Sequence, residues 1–178
     1  MSAPVLRGWR VSDAPALRDA YLTTSDLSTQ LGGADLSTIE GAQDFIERVL
    51  AESESTRNWA IVDEGGAVGN VGASAIERRH DTAWMHYWIA SSHRGLGLAA
   101  RALSSVAEWA FSEGLYRLES GHRLDDPASC RVATRAGFVA EGIEREKLKY
   151  GEERFDVELH ARLAVDVAPA IERLRFTA

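Results

Sequence analysis

One cysteine, Cys130, occurs in the 178 residues, so no disulfide can form within the chain and a reducing, cytoplasmic setting is expected. Basic residues are in deficit: 20 Lys and Arg stand against 27 Asp and Glu, a net charge of -7. That balance disfavours nucleic acid as a partner and favours a cationic one, such as an amine. No apolar run is long enough to span a bilayer, and the first residues show no basic segment leading into an apolar core, so neither a membrane role nor an export signal is expected. Fixed-period repeats and low-complexity windows are also missing, which excludes a solenoid and a disordered chain.

What is present, 45% hydrophobic and 26% charged, suits one domain over residues 1–178. "VLRGWR" reads as a short strand and "VSDAPALRDAYL" as a helix starting near Ser12 or Asp13, with Pro15 in its first turn. In "STIEGAQDFIERVLAE" Ser37 and Glu40 have capping-box spacing ahead of an apolar stripe. "NWAIVD", "AVGNVGASAIERR" and "AWMHYWIA", joined by short turns, make an antiparallel meander. A helix over "GLAARALSSVAEWAFSE" and a strand over "LYRLESGHRL" then form a crossover. "DDPASCRVATRAGF" is a capped helix, with Asp126 as N-cap, Pro127 at the first helical position and Gly137 at its end. "FVAEGIEREKLKY" and "DVELHARLA" close as a hairpin, and the tail "VDVAPAIERLRFTA" is either a last helix or a homodimer contact. The expected class is α/β (α+β), a mixed, mostly antiparallel sheet of about seven strands with helices on both faces.

The stretch "SHRGLGLAARAL" carries the strongest chemical signal. A helix following a strand leaves its first N–H groups unpaired, and these attract anions. Gly95, Leu96, Gly97, Leu98 and Ala99 would bring bare amides to a phosphate, with Arg94 adding charge. Three readings compete: a plain turn, a dinucleotide site, since "GLGLAA" fits G-x-G-x-x-A with Glu119 placed for a ribose, and a coenzyme A site. The dinucleotide reading suffers because that fingerprint should close the first strand of a βαβ series, and here a meander precedes it.

"RGLGLA" resembles the R/Q-x-x-G-x-G/A loop of the GNAT superfamily of N-acetyltransferases, met by Arg94, Gly97 and Ala99 between that family's fourth strand and third helix. "LRGWRVSDAPAL", "HYWIASSHRGLGLA", "DDPASCRVATRAGFVAEG" and "YGEERFDVELHARL" are similar to the RimJ/RimL branch of ribosomal-protein N-acetyltransferases, in order, over residues 4 to about 163. The resemblance implies acetyl-CoA as co-substrate, a pyrophosphate on the loop amides, and a pantetheine arm in a gap between splayed fourth and fifth strands. It implies an enzyme that passes acetyl directly to a primary amine, either a protein N-terminus or a small molecule. The alternative is a coenzyme A-binding sensor without turnover.

Such transfer needs a base for the ammonium, shelter for the negative oxygen, and a proton for the thiolate. The resemblance implies a bulge near the end of "MHYWIA" whose main chain, at Tyr87, Trp88 and Ile89, meets the oxygen, while the side chains are expected in the core. It implies Ser129, of the N-x-A-S motif, as proton donor, with Asp126 and Ser129 both expected at the cofactor; Asp126 stands where the family usually has asparagine, and an ionised carboxylate donates no hydrogen bond. A glutamate base known in some relatives does not carry over, because the equivalent position is Leu148. His86 and His122 remain as bases, beside a water chain. Asp156 and Tyr150 are expected at the substrate end, with Trp59 and Trp84 as aromatic neighbours, Asp156 either positioning substrate or bracing the hairpin. No metal is expected, because His80, His93 and His160 lack ligand spacing with Cys130. No covalent acetyl-enzyme is expected either, since Cys130 has no assigned histidine partner.

Overall fold

The computed structural model describes residues 3–178, so the first two residues of the expected domain lie outside the described ones. Among them are eight strands: β1 (Val5–Arg7), β2 (Arg57–Asp63), β3 (Gly66–Glu77), β4 (Thr82–Ile89), β5 (Arg117–Arg123), β6 (Val139–Tyr150), β7 (Glu153–Leu163) and β8 (Arg175–Phe176). The helices are α1 (Ala14–Thr23), α2 (Leu27–Gln30), α3 (Ile39–Arg48), α4 (Leu98–Ser112) and α5 (Pro127–Arg135). One sheet has the order β6-β7-β5-β4-β3-β2-β1-β8. It is antiparallel except where β4 meets β5 and β1 meets β8. Two isolated parallel pairs in an otherwise antiparallel sheet do not make a doubly wound sheet, so the dinucleotide reading falls.

Strand alternation sends side chains to two cores. Val71, Ala73, Met85 and Ile89 pack under α4, whose Ala99, Ala102, Ala107 and Ala110 let the helix lie close to the sheet. Trp88 faces the other way, into a core built from Leu17 of α1, Leu27 of α2 and Ile46 of α3. Helices on both faces therefore follow from period-two strands meeting period-3.6 helices. No helix among the described residues is long and apolar enough to cross a membrane.

Two local expectations are corrected and one short helix is added. The tail is no helix: it runs irregularly and ends in β8, where Val5 pairs with Arg175 and Leu6 with Phe176. That pairing raises the strand count to eight and buries Leu174 in the main core. The cap of α3 is Thr38 and not Ser37, because the Thr38 hydroxyl accepts from the Gly41 N–H at 3.0 Å. Between α1 and α3 the chain forms the short α2, which the polar run "TTSDLSTQ" did not signal.

Entry into α1 is held by a bidentate pair: Arg7 Nη1 and Nη2 donate to Asp13 Oδ2 and Oδ1 at 2.6 and 2.7 Å, and the Arg10 N–H adds a bond at 2.9 Å. Burial raises the Asp13 pKa, but the hydrogen bonds from Arg7 and Arg10 outweigh it and hold the carboxyl below its ordinary range. A depressed carboxylate contributes stability above its unfolded pKa and loses it as pH falls through the folded value. Asp13→Asn should cost about 1.5–3 kcal/mol at neutral pH. The gap from wild type, read from urea midpoints, should close as pH drops below about 4.

Candidate active site

β4 pairs with β5 only from Thr82–Trp84 against Arg117–Glu119. Beyond this, β4 follows β3 as far as Ile89 and β5 follows β7 as far as Arg123, so the two separate. A cavity of about 740 Å³ fills the divergence and runs from Gly97 to Leu148 and Tyr150. The expected bulge at the end of β4 is absent: the register is unbroken from Ser74–Trp84 to Gly69–Ile89, and the shift lies at the far end, between Ser74 and Glu77. Alternation does the bulge's work. The Ala90 N–H donates to the Val68 carbonyl at 2.9 Å, which turns the main chain of Trp88 and His86 towards β3 and that of Ile89 and Tyr87 into the gap. Ile89 therefore offers its main chain as expected. Trp88 does not, although the residue borders the cavity and its buried indole Nε1 has no partner among the described residues.

The glycine loop sits at the mouth. Gly95 and Gly97 have φ of 81° and 76°, a region costly for other residues, and a Cβ added to either would meet nothing within 4 Å. Gly97 is the N-cap of α4 with no side chain to satisfy it, and the first intrahelical bond, Arg101 N–H to Gly97 carbonyl, spans 3.2 Å. The first-turn amides of Leu98, Ala99 and Ala100 have no intrahelical partner, and these residues line the cavity. Leu96 is different, with its side chain 61% exposed and outside the lining. Arg94 is tethered, its Nε donating to the Ile89 carbonyl at 3.1 Å and its Nη2 to Asp26 Oδ1 at 2.8 Å. Arg131 and Arg135 of α5 also line the cavity, without an ion-pair partner among the described residues, and bring positive charge that the sequence reading missed.

At the N-terminus of α5, Asp126 Oδ1 accepts from the Ala128 and Ser129 N–H groups at 3.1 and 3.0 Å, and Oδ2 accepts from Ser129 Oγ at 2.7 Å. The Ser129 hydroxyl proton is thus committed to the cap and must rotate away to be given elsewhere. A second hydroxyl lies beside it: Tyr87 Oη donates to the Ser129 carbonyl at 3.2 Å, and burial pushes its pKa up to about 12. Tyr87 packs partly against the core as expected, yet it also lines the cavity. The alternation of "MHYWI" was the available signal, since it puts Tyr87 on the face opposite His86.

The two histidines lie on opposite faces. His86 belongs to the α1/α3 side, where its Nε2 donates to Asn58 Oδ1 at 3.0 Å and its Nδ1 stands 3.4 Å from Ser74 Oγ. Asn58 is held by Asn70, which in turn accepts from Trp9 Nε1 at 2.8 Å. Burial pushes the His86 pKa down, and with Nε2 donating, Nδ1 keeps its lone pair beside Ser74 Oγ. Gly72 makes room for the group, because a Cβ there would come within 2.5 Å of Asn58 Oδ1 and 2.6 Å of His86 Nε2. His122 faces α5 instead. Its Nδ1 bonds the Arg123 carbonyl at 2.9 Å, and its Nε2 lies 3.1 Å from His160 Nε2 and 3.3 Å from Glu158 Oε2. Cys130 Sγ belongs to the same cluster, so it does have histidine neighbours, but it lies outside the cavity lining.

At the other end, Trp84, Leu148 and Tyr150 line the cavity, with Lys147 Nζ 5.1 Å from the Trp84 ring. Trp59 is elsewhere, stacked edge-on against Trp109 and Phe176. Asp156 is outside the lining and braces the hairpin: Oδ1 accepts from the Glu146 N–H at 2.8 Å, where Glu146 has a φ of 53° and the β6–β7 register slips.

A profile of the acetyltransferase (GNAT) domain matches residues 5–139. The chain belongs to that family. Its structural neighbours bind coenzyme A or acetyl-CoA, the co-substrate of this acyltransferase class. The ribosomal-protein-serine acetyltransferase of Escherichia coli is 34% identical over 116 residues, 65% of either chain. RimJ of Mycobacterium smegmatis, solved with a coenzyme A disulfide, superposes with a TM-score of 0.79 at 26% identity, over 89% of this chain and 81% of that one. RimL, the ribosomal L7/L12 α-N-protein acetyltransferase solved with coenzyme A, gives 0.79 at 22% identity, over 92% and 95%.

The chain's own residues fit coenzyme A: an uncapped helix end, open glycines, spare arginines and a gap edged by free main chain. Gly97→Val fills the space a phosphate needs. Calorimetry with coenzyme A should show at least about a tenfold rise in Kd, with a stability loss of about 1–2 kcal/mol from the left-handed backbone. Unchanged affinity would remove the loop from phosphate binding.

Proposed function

We propose that the chain is an acetyl-CoA-dependent N-acetyltransferase that passes acetyl directly to a primary amine, of a protein N-terminus or a small molecule. The observation that carries this is the divergence of β4 from β5, which joins an anion-binding helix end to a gap open towards polar side chains of both sheet faces. The co-substrate supplies an acyl thioester. The amides of Gly95 to Ala100 hold its diphosphate, and Arg131 and Arg135 add positive charge. In the gap, the Tyr87 and Ile89 N–H groups stabilise the oxygen that becomes negative.

His86 is the base. It stands on the face opposite α4 and α5, so an amine arriving from that side is deprotonated away from the thioester, with the proton reaching Nδ1 directly or through a water. The network through Asn58 and Asn70 fixes the tautomer that leaves Nδ1 unprotonated. His122 is a weaker choice because its Nε2 is turned towards His160 and Glu158. On the thiolate side, Ser129 and Tyr87 present the two hydroxyls able to give a proton. Trp84 and Tyr150 line the approach of the acceptor. Asp156 acts on it only through the hairpin. The resemblance to enzymes named for ribosomal-protein amines supports a protein N-terminus as the first acceptor to try.

Incubation with acetyl-CoA and a panel of N-terminal peptides, polyamines and aminoglycosides, followed by thiol release and product mass spectrometry, tests this. Release with at least one amine, and a product heavier by one acetyl group, is expected. Coenzyme A binding without release across the panel would favour the sensor instead. For the base, kcat/KM should fall on the acid side with a midpoint below about 6.5, because the His86 pKa is depressed and the neutral ring is the active form. His86→Gln should remove that limb and lower kcat about 10²–10⁴-fold. Survival of the limb in this variant and its loss in His122→Gln would transfer the role to His122.

A further inference from the structure

The second polar cluster under α5 has a composition that acetyl transfer does not require. His122 Nε2, Cys130 Sγ, a Glu158 oxygen and His160 Nε2 all lie within 4.8 Å of one another. Three separations are known individually: 3.1 Å between the two Nε2 atoms, 2.9 Å from His160 Nε2 to Glu158 Oε2, and 3.3 Å from His122 Nε2 to the same oxygen. A tetrahedron with metal–nitrogen bonds of about 2.0–2.1 Å has edges of about 3.3–3.4 Å, so these donors already stand close to the spacing a zinc-type ion imposes. Two imidazoles, a thiol and a carboxylate form a donor set of the kind that selects zinc over magnesium or calcium.

The surroundings agree. The His122 Nδ1–H is held by the Arg123 carbonyl at 2.9 Å, the outer contact that frees Nε2 as a ligand. His160 is 1% exposed, and its Nδ1 has no partner among the described residues. Nε2 of His160 is the ring nitrogen turned into the cluster, towards His122 Nε2 and Glu158 Oε2. Sequence spacing concealed the group, since positions 122, 130, 158 and 160 follow no metal motif. The β5–β7 register sets His122 opposite Glu158 and Ser120 opposite His160, and α5 lays Cys130 over them.

We propose that His122, Cys130, Glu158 and His160 bind one thiophilic divalent cation of the zinc class, tying α5 to β5 and β7 beside the coenzyme A cavity. Binding converts the Cys130 thiol to a metal thiolate and releases its proton, while the His160 proton moves from Nε2 to Nδ1. The thiolate and carboxylate balance the ion's two charges, and affinity falls as pH falls. This site is independent of the acetyl-transfer reading.

Titration of the whole chain with cobalt(II), followed by competition with zinc against a chromophoric chelator, tests it. The expected result is one ion per chain, thiolate-to-cobalt charge transfer in the near ultraviolet, intense visible bands of tetrahedral cobalt, and a Tm that rises with metal concentration. Cys130→Ser should abolish the charge-transfer band, and Cys130→Ser and His160→Gln should each weaken zinc about 10–100-fold or more. Circular dichroism of the metal-free variants shows whether each is folded, and wild-type stoichiometry and spectra stand without them. Absence of wild-type binding, or a charge-transfer band and affinity that persist in Cys130→Ser, would overturn the proposal.

Discussion

A parallel strand pair ordinarily exchanges hydrogen bonds along its length, yet β4 and β5 do so over three residues and then part. Each is kept extended by its other neighbour, β4 by β3 and β5 by β7, so the separation does not unravel either strand. Backbone groups left unpaired in a dry interior cost about 1–3 kcal/mol each. Here they border an open cavity, where water or a ligand can satisfy them. The sheet thus trades ladder hydrogen bonds for a row of oriented amides.

Because side chains alternate along β4, one strand serves two chemistries. Tyr87 looks towards α5 and the Ser129 carbonyl, while its neighbour His86 looks into the Asn58–Asn70 network on the reverse face. A phenol hydroxyl and an imidazole acceptor are thereby separated by the thickness of a sheet, so neither can bond the other. The arrangement also explains the crowding at Gly72, where any side chain would strike the asparagine and histidine that set the tautomer.

Features written in adjacent residues were legible in the sequence. The left-handed glycines of the loop, the Asp126–Pro127 start of α5 and the alternating strands of the meander each follow from local sterics or capping. What escaped depends on contacts between distant segments. β8 exists only because the tail finds β1, and Arg94 is tethered to Asp26 from a remote helix end. Glu158 and His160 reach His122 through strand register alone. The choice of Thr38 over Ser37 is a subtler failure, because both hydroxyls are competent caps and only the path of the chain decides between them. The expected bulge failed for another reason: alternation within a regular strand already turns the required amides into the gap.

Asp126 gains a role from this geometry that its departure from the family's asparagine did not foretell. Two helix N-termini, those of α4 and α5, border the cavity, and either could attract an anion. At α5 the Asp126 carboxylate already accepts from two amides and the Ser129 hydroxyl, so its own negative charge occupies that end and repels a second anion. At α4 the cap is Gly97, which offers nothing but backbone. The cavity is therefore bordered by one helix end satisfied by a carboxylate and one left open. Acidic capping of α5 therefore leaves α4 as the helix end at the cavity whose first amides have no side-chain cap.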